Sequence, residues 1–246
     1  MKKYIASVAC LLVFMACKQE KKGTVEAAVV KEVAVVENDW EVLFDGTSLD
    51  KWKEFKTDGI SDTWKIEGDA LVYTPPAEGE ENKNHDLVTR EEYTNFVLTL
   101  DWKISEAGNS GVFWGVSEDG KFGTGYQTGP EIQILDNEKH PDAKAGTTHQ
   151  AGALYDMVSP ATDVTNPVGE WNTMVITVDH NAHIGSVTLN GTVMVTFPVA
   201  NEEWEAMVAK SKFAGWDGFG KYITGKIGLQ DHGNIVAFRN IKIKQL

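Results

Sequence analysis

Phe96-Val97-Leu98-Thr99-Leu100-Asp101-Trp102-Lys103-Ile104 alternates without a break. Phe96, Leu98, Leu100, Trp102 and Ile104 fall on one side, and Val97, Thr99, Asp101 and Lys103 on the other. A period of two over this length predicts a strand with an apolar face in a core and a polar face outside. That is the pattern of an antiparallel sheet packed on one side.

The chain on either side repeats the theme in shorter pieces. Trp40-Glu41-Val42-Leu43-Phe44, stopped by Asp45-Gly46, reads as a first strand, and Trp64–Ile66 with Ala70–Tyr73 as two more around Glu67-Gly68-Asp69. Asp86–Thr89, Val112–Gly115, Trp171–Val178 and a closing Val236–Ile243 follow. Val187-Thr188-Leu189 and Thr192–Val195 flank Asn190-Gly191, the signature of a hairpin with a type I′ turn. Asn201 is placed to cap one short helix from Glu202 to about Lys210. About twelve strands, one helix and no βαβ rhythm predict an all-β fold: an antiparallel β-sandwich of the jelly-roll kind.

Gly129-Pro130-Glu131-Ile132-Gln133-Ile134-Leu135-Asp136-Asn137 is a different kind of strand. Ile132 and Ile134 make an apolar face, while Glu131 and Gln133 share the other. Asp136 joins that polar face only if a bulge or the strand's end supplies a half-step, as happens often beside active sites. A solvated sheet face would carry the same residues. The long segment Asn137–Gly169 adds His140, His149, Tyr155 and Asp156, and a loop of this length is more often functional than idle.

Of the 246 residues, the first 17 look like an export signal: Lys2-Lys3, an apolar run from Tyr4 to Ala16, then Phe14-Met15-Ala16-Cys17 in the shape of a lipobox. The run is too short to span a bilayer as a helix. Cys17 is the expected lipidation site, with residues 18–38 a flexible tether and 39–246 the β-sandwich domain. This places the protein in the cell envelope, lipid-anchored to a bacterial membrane and periplasmic or surface-exposed. With Cys10 removed and Cys17 acylated, the domain has no cysteine for a disulfide, a metal or a nucleophile. A net charge of −13 argues against nucleic acid and anionic sugars as partners. Eight tryptophans suit the apolar faces of sugars, though five or six are expected in the core.

Leu43-Phe44-Asp45-Gly46 with Leu49 and Trp52, Gly108-Asn109-Ser110-Gly111, Gly129–Asp136, Gly169-Glu170-Trp171-Asn172, and Leu229-Gln230-Asp231-His232-Gly233 followed by Phe238-Arg239-Asn240-Ile241 occur in that order. Together they resemble the 3-keto-disaccharide hydrolase family, from about residue 40 to the C-terminus. The resemblance implies a concanavalin-like sandwich and a carbohydrate substrate, a glycoside oxidised at C3. A C3 ketone acidifies the C2 proton, so a base can remove it, the group on C1 can leave, and water can add to the enone. This needs a base, a group for the C3 oxyanion and help for the leaving group. Glu131, His149 and His232 are the catalytic candidates: His149 or Glu131 as base, with His232 or a bound cation near the oxyanion. Gln133, Asp136, Asn109, Trp114, Tyr155, Trp216, Gln230 and Asp231 are candidates to hold the sugar. No cofactor is specified; a divalent cation fits Glu131, Asp136, Asp231 and the histidines, but no tight ligand motif is present.

Two other readings fit the same residues. Glu131-x-Gln133-x-x-Asp136 has the spacing of the Glu-x-Asp-x-x-Glu of laminarinase-like glucanases, but a retaining hydrolase needs two carboxylates about 5–5.5 Å apart and Gln133 breaks the set. A lectin-like module would stack sugars on Trp114, Trp216 and Tyr222 and release nothing. Convergence of Glu131, His149 and His232 in one pocket would favour the enzyme.

Overall fold

The computed structural model describes residues 39–77 and 83–246. The signal, lipobox and tether expected before residue 39 lie outside the described residues. Thirteen strands and one α-helix are present among the latter: β1 (Glu41–Phe44), β2 (Trp52–Glu54), β3 (Trp64–Glu67), β4 (Ala70–Tyr73), β5 (Leu87–Thr89), β6 (Phe96–Ile104), β7 (Asn109–Val116), β8 (Glu131–Leu135), β9 (Asn172–Asp179), β10 (Ile184–Leu189), β11 (Thr192–Pro198), α1 (Glu202–Val208), β12 (Lys226–Leu229) and β13 (Val236–Gln245). The two strands that the sequence pattern does not single out are β2 and β12. They are three and four residues long.

The strands form two antiparallel sheets. One runs β11-β10-β9-β6-β13-β4-β3, with β1 also on β13; the other runs β2-β5-β12-β7-β8. In β6 the alternation becomes burial: Phe96, Leu98, Leu100 and Trp102 are each 1% exposed, and the intervening residues are half-buried. The hairpin turn is as expected, with Asn190 and Gly191 both left-handed (φ 48° and 80°) and Leu189 opposite Thr192. Asn201 caps α1 by accepting from the Trp204 amide at 2.9 Å. Five of the eight tryptophans, at 52, 64, 102, 114 and 204, are in the core.

The second sheet departs from the one-sided pattern. Every residue of β7, β8 and β12 is buried. Val112, Trp114, Ile132, Ile134, Ile227 and Leu229 join the main core. The opposite side is roofed by loops, so the polar residues of β8 face a cavity and not bulk water. Because β6 lies between β9 and β13, Leu98→Ala should cost about 2–5 kcal/mol in chemical denaturation. A loss well under 1 kcal/mol would show that β6 is not the core strand described.

Candidate active site

Glu131 opens β8 opposite Phe113 of β7, and Gln133 lies opposite Gly111. A Cβ at Gly111 would overlap the Glu131 carboxylate, so the missing side chain is the space in which that carboxylate sits. On its other edge β8 is extended by the long loop after it. The Gln133 backbone N–H donates to the Ala153 carbonyl and the Gly152 N–H to the Gln133 backbone carbonyl, and the Tyr155 N–H donates to the Glu131 backbone carbonyl at 3.0 Å. This pairing delivers the Tyr155 ring beside Glu131. A third segment arrives after α1, where the Lys212 amide donates to Asp156 Oδ2 at 2.7 Å and Phe213 stacks on Phe219 with centroids 3.8 Å apart. The turn after β12 brings His232, held in the left-handed region at φ 36°, a conformation costly for a non-glycine residue.

These segments enclose a cavity of about 430 Å³. Seven of the residues singled out from sequence line it: Asn109, Glu131, Gln133, Tyr155, Trp216, Gln230 and His232. Four others lie elsewhere. Trp114 is in the core, stacked on Phe197 at 5.6 Å. Asp136 has both oxygens engaged by backbone amides, from Ala107 at 2.7 Å, Glu138 at 3.0 Å and Lys139 at 3.1 Å, and lines a separate cavity near Trp102. Asp231 accepts from the His85 amide at 2.7 Å. His149 stands behind the wall, its Nδ1 2.9 Å from Asp142 Oδ1 and its Nε2 3.2 Å from Asp156 Oδ1. Both ring nitrogens are thus occupied by carboxylates, and Asp142 in turn accepts from the Tyr155 hydroxyl at 2.9 Å. His149 braces Tyr155, and of the three catalytic candidates only Glu131 and His232 share the cavity.

Lys212, Phe213 and Tyr126 line the cavity as well, and no sequence spacing marks them. Lys212 is the consequential one. Its ammonium lies 3.9 Å from the centre of the Tyr155 ring and 5.2 Å from that of Phe213. Among the described residues it forms no ion pair, so its charge is held by aromatic faces and left open to a ligand.

Burial raises the Glu131 carboxyl from 4.5 to about 8; Lys212 opposes the rise, while Asp86 and Asp142 add to it. Burial, with Asp231 as neighbour, lifts Asp86 to about 7. Burial opposes ionisation of Asp142, yet hydrogen bonds from His149 and Tyr155 hold its carboxyl below the ordinary value. The cavity therefore has one carboxyl balanced between its two forms near neutrality, facing one fixed cation. No group of three or more His, Cys, Asp or Glu among the described residues is arranged to hold a metal ion.

Residues 39–244 match the family described as 3-keto-alpha-glucoside-1,2-lyase-like domain. The chain belongs to this family. It is 31% identical over its full length to a 3-keto-disaccharide hydrolase of Bacteroides thetaiotaomicron, the alignment covering 100% of both. A solved structure of a "putative glycosyl hydrolase" from Parabacteroides distasonis is 31% identical and superposes with a TM-score of 0.77, covering 84% of this chain and 94% of that one. A second structure so described from the same organism is 26% identical, with a TM-score of 0.63 over 85% of this chain and 100% of that one.

Gly111→Ala should expel the Glu131 carboxylate from its seat and abolish Glu131-dependent activity while the sheet still folds; a Gly111→Ala variant as active as the parent would refute this packing. The Glu131 carboxyl also has a stability signature. Its folded value, about 8, exceeds its ordinary 4.5, so its contribution is fully present below the lower value and is lost as pH rises through the upper one. Glu131→Gln should therefore lose less Tm than the parent between roughly pH 6 and pH 9. Parallel Tm curves over that range would count against a buried, protonated Glu131.

Proposed function

We propose that the protein cleaves glycosides oxidised at C3, by removal of the C2 proton, elimination of the group on C1 and hydration of the enone. The observation that carries this is the presence of Glu131 and the unpaired Lys212 in one cavity that has no second carboxylate among its lining residues. Direct retaining hydrolysis needs two carboxylates about 5–5.5 Å apart. Asp136, the carboxylate that the glucanase-like spacing would use as the second, is occupied by backbone amides. Family membership and the name of the Bacteroides relative support the same substrate class.

In this mechanism the ionised Glu131 takes the proton from C2, and the electron pair moves into an enolate whose negative charge rests on the C3 oxygen. Lys212 faces that oxygen, and its charge is worth more in a half-dry cavity than in water. The enolate then re-forms the ketone as the C1–O bond breaks, and Glu131 returns its proton to the departing oxygen. Water adds to C1 of the enone, giving up a proton to Glu131, and C2 is reprotonated. A carboxyl near 8 suits a group that must be both base and acid within one turnover. Tyr155 and Trp216 offer aromatic walls to the ring, and Gln133 and Gln230 offer amides to its hydroxyls.

Kinetic and isotopic measurements test this. Glu131→Gln should lower kcat by about 10²–10⁴, the usual worth of a general base. Turnover in deuterated water should leave deuterium at C2 of the released sugar, and C2-deuterated substrate should react more slowly where proton removal limits the rate. The matching unoxidised glycoside should not be cut; cleavage of it without exchange at C2 would indicate direct hydrolysis, and binding without release a lectin. Activity should rise with pH through about 8 as Glu131 ionises.

The same proposal includes a place of work in the cell envelope, through acylation of Cys17. Changing Cys17 to Ser should release the protein from membranes, and unaltered membrane association would overturn the anchor.

A further inference from the structure

His232 is joined to Gln133, across the cavity wall, by a chain of side-chain hydrogen bonds through Asn109. Gln133 Nε2 donates to Asn109 Oδ1 at 3.1 Å, and Asn109 Nδ2 lies 3.3 Å from His232 Nε2. Asn109 and Gln133 are 3% and 1% exposed, so the bond between them is shielded from water, and His232 forms the exposed end of the chain. The Asn109 backbone is fixed too, its amide donating to Asn234 Oδ1 at 3.1 Å. An asparagine whose oxygen is taken by a donor can turn only N–H toward its other neighbour. The ring nitrogen that receives this N–H must carry a lone pair, and the proton of the neutral imidazole must then sit on Nδ1.

We propose that Asn109 is a positioning residue which holds His232 in the Nδ1–H tautomer, and that Gln133 sets the direction of Asn109. The basic nitrogen of His232 is thereby occupied, so the imidazole serves as a hydrogen-bond donor and leaves Glu131 as the cavity's free base. The far end of the chain is open: Gln133 Oε1 is buried with no partner, as is Gln230 Oε1, and both residues line the cavity. A buried acceptor without a partner costs free energy until a ligand satisfies it. The two oxygens therefore mark where hydroxyl groups of the substrate donate, and the first of these contacts is transmitted to His232 through Asn109. The effect on turnover rests on the function proposed above; the tautomer does not.

Nitrogen-15 NMR of histidine-labelled protein, at a pH where the imidazole is neutral, reads the tautomer directly, with His232→Gln identifying the signal. The free protein should show protonated Nδ1 and unprotonated Nε2 at His232. Gln133→Met removes the donor without touching His232, and should populate the Nε2–H form because Asn109 is then free to turn. Asn109→Asp, which can only accept, should shift His232 toward protonated Nε2. On a 3-keto-glycoside, Gln133→Met should also lower kcat by about tenfold or more, within the range that misplacement of a working group produces. A parent protein with protonated Nε2, or a Gln133→Met variant with the parental tautomer, overturns the relay whether or not any glycoside is cleaved. An inactive parent with the expected tautomers would instead overturn the reaction and leave the relay standing.

Discussion

The site depends on one steric fact, the absence of a side chain at Gly111 where the Glu131 carboxylate lies. Antiparallel neighbours on one face stand about 5 Å apart, so a carboxylate lying flat over the adjacent strand needs a vacancy there. The strand pair β7–β8 provides it in register, with Gly111 opposite Gln133 and diagonal to Glu131. Burial follows from that seat, and the raised carboxyl follows from burial. A slip of one residue would turn Glu131 into the core and an isoleucine into the cavity.

The loops around this seat are organised by carboxylates. Asp142 and Asp156 grip His149 from two sides, and each also ties a cavity residue, Asp142 through the Tyr155 hydroxyl and Asp156 through the Lys212 amide. Lys212 is thus brought over Tyr155 by its backbone and not by pairing its own charge with an acid. Had the ammonium been paired with Asp142 or Asp156, its field would be largely cancelled before a substrate arrived. Behind the cavity, Asp86 and Asp231 form a second acidic layer, both raised by burial. Asp86 adds to the rise at Glu131, which Lys212 partly offsets. The balance near neutrality is therefore a property of the whole neighbourhood.

The fold was legible because its signals are local. The alternation from Phe96 to Ile104, the Asn190-Gly191 turn and the Asn201 cap each report on a few adjacent residues, and each appears where its spacing puts it. The polar residues of the motifs at 108–111, 129–136 and 229–233 were also visible, and most of them meet in the cavity. Roles were less legible. His149 and Asp136 have the chemistry of site residues, yet their atoms are committed to Asp142, Asp156 and backbone amides. Lys212 shows the reverse: an ordinary lysine in sequence becomes the cavity's cation through one hydrogen bond from its own amide to a loop 56 residues away. No periodicity encodes such a contact.

The charge count of the cavity also explains why a sandwich of this kind tolerates it. A two-carboxylate hydrolase must hold one protonated and one ionised carboxyl close together in its cleft and bear the desolvation of both. Here the buried carboxyl is protonated through much of the range below about 8, so the resting cavity contains one charge, and that charge lies on aromatic faces. Full ionisation of Glu131 sets an anion beside Lys212, which offsets part of its cost. The amide chain from Gln133 through Asn109 to His232 adds polarity without adding charge. A site made of one titrating acid, one cation and neutral amides can be buried between a core sheet and its loops. An ionised acid in place of Gln133 would add a like charge to the same cavity and push the Glu131 carboxyl further up, so the neutral amide at this position helps keep the ionised form of Glu131 within reach.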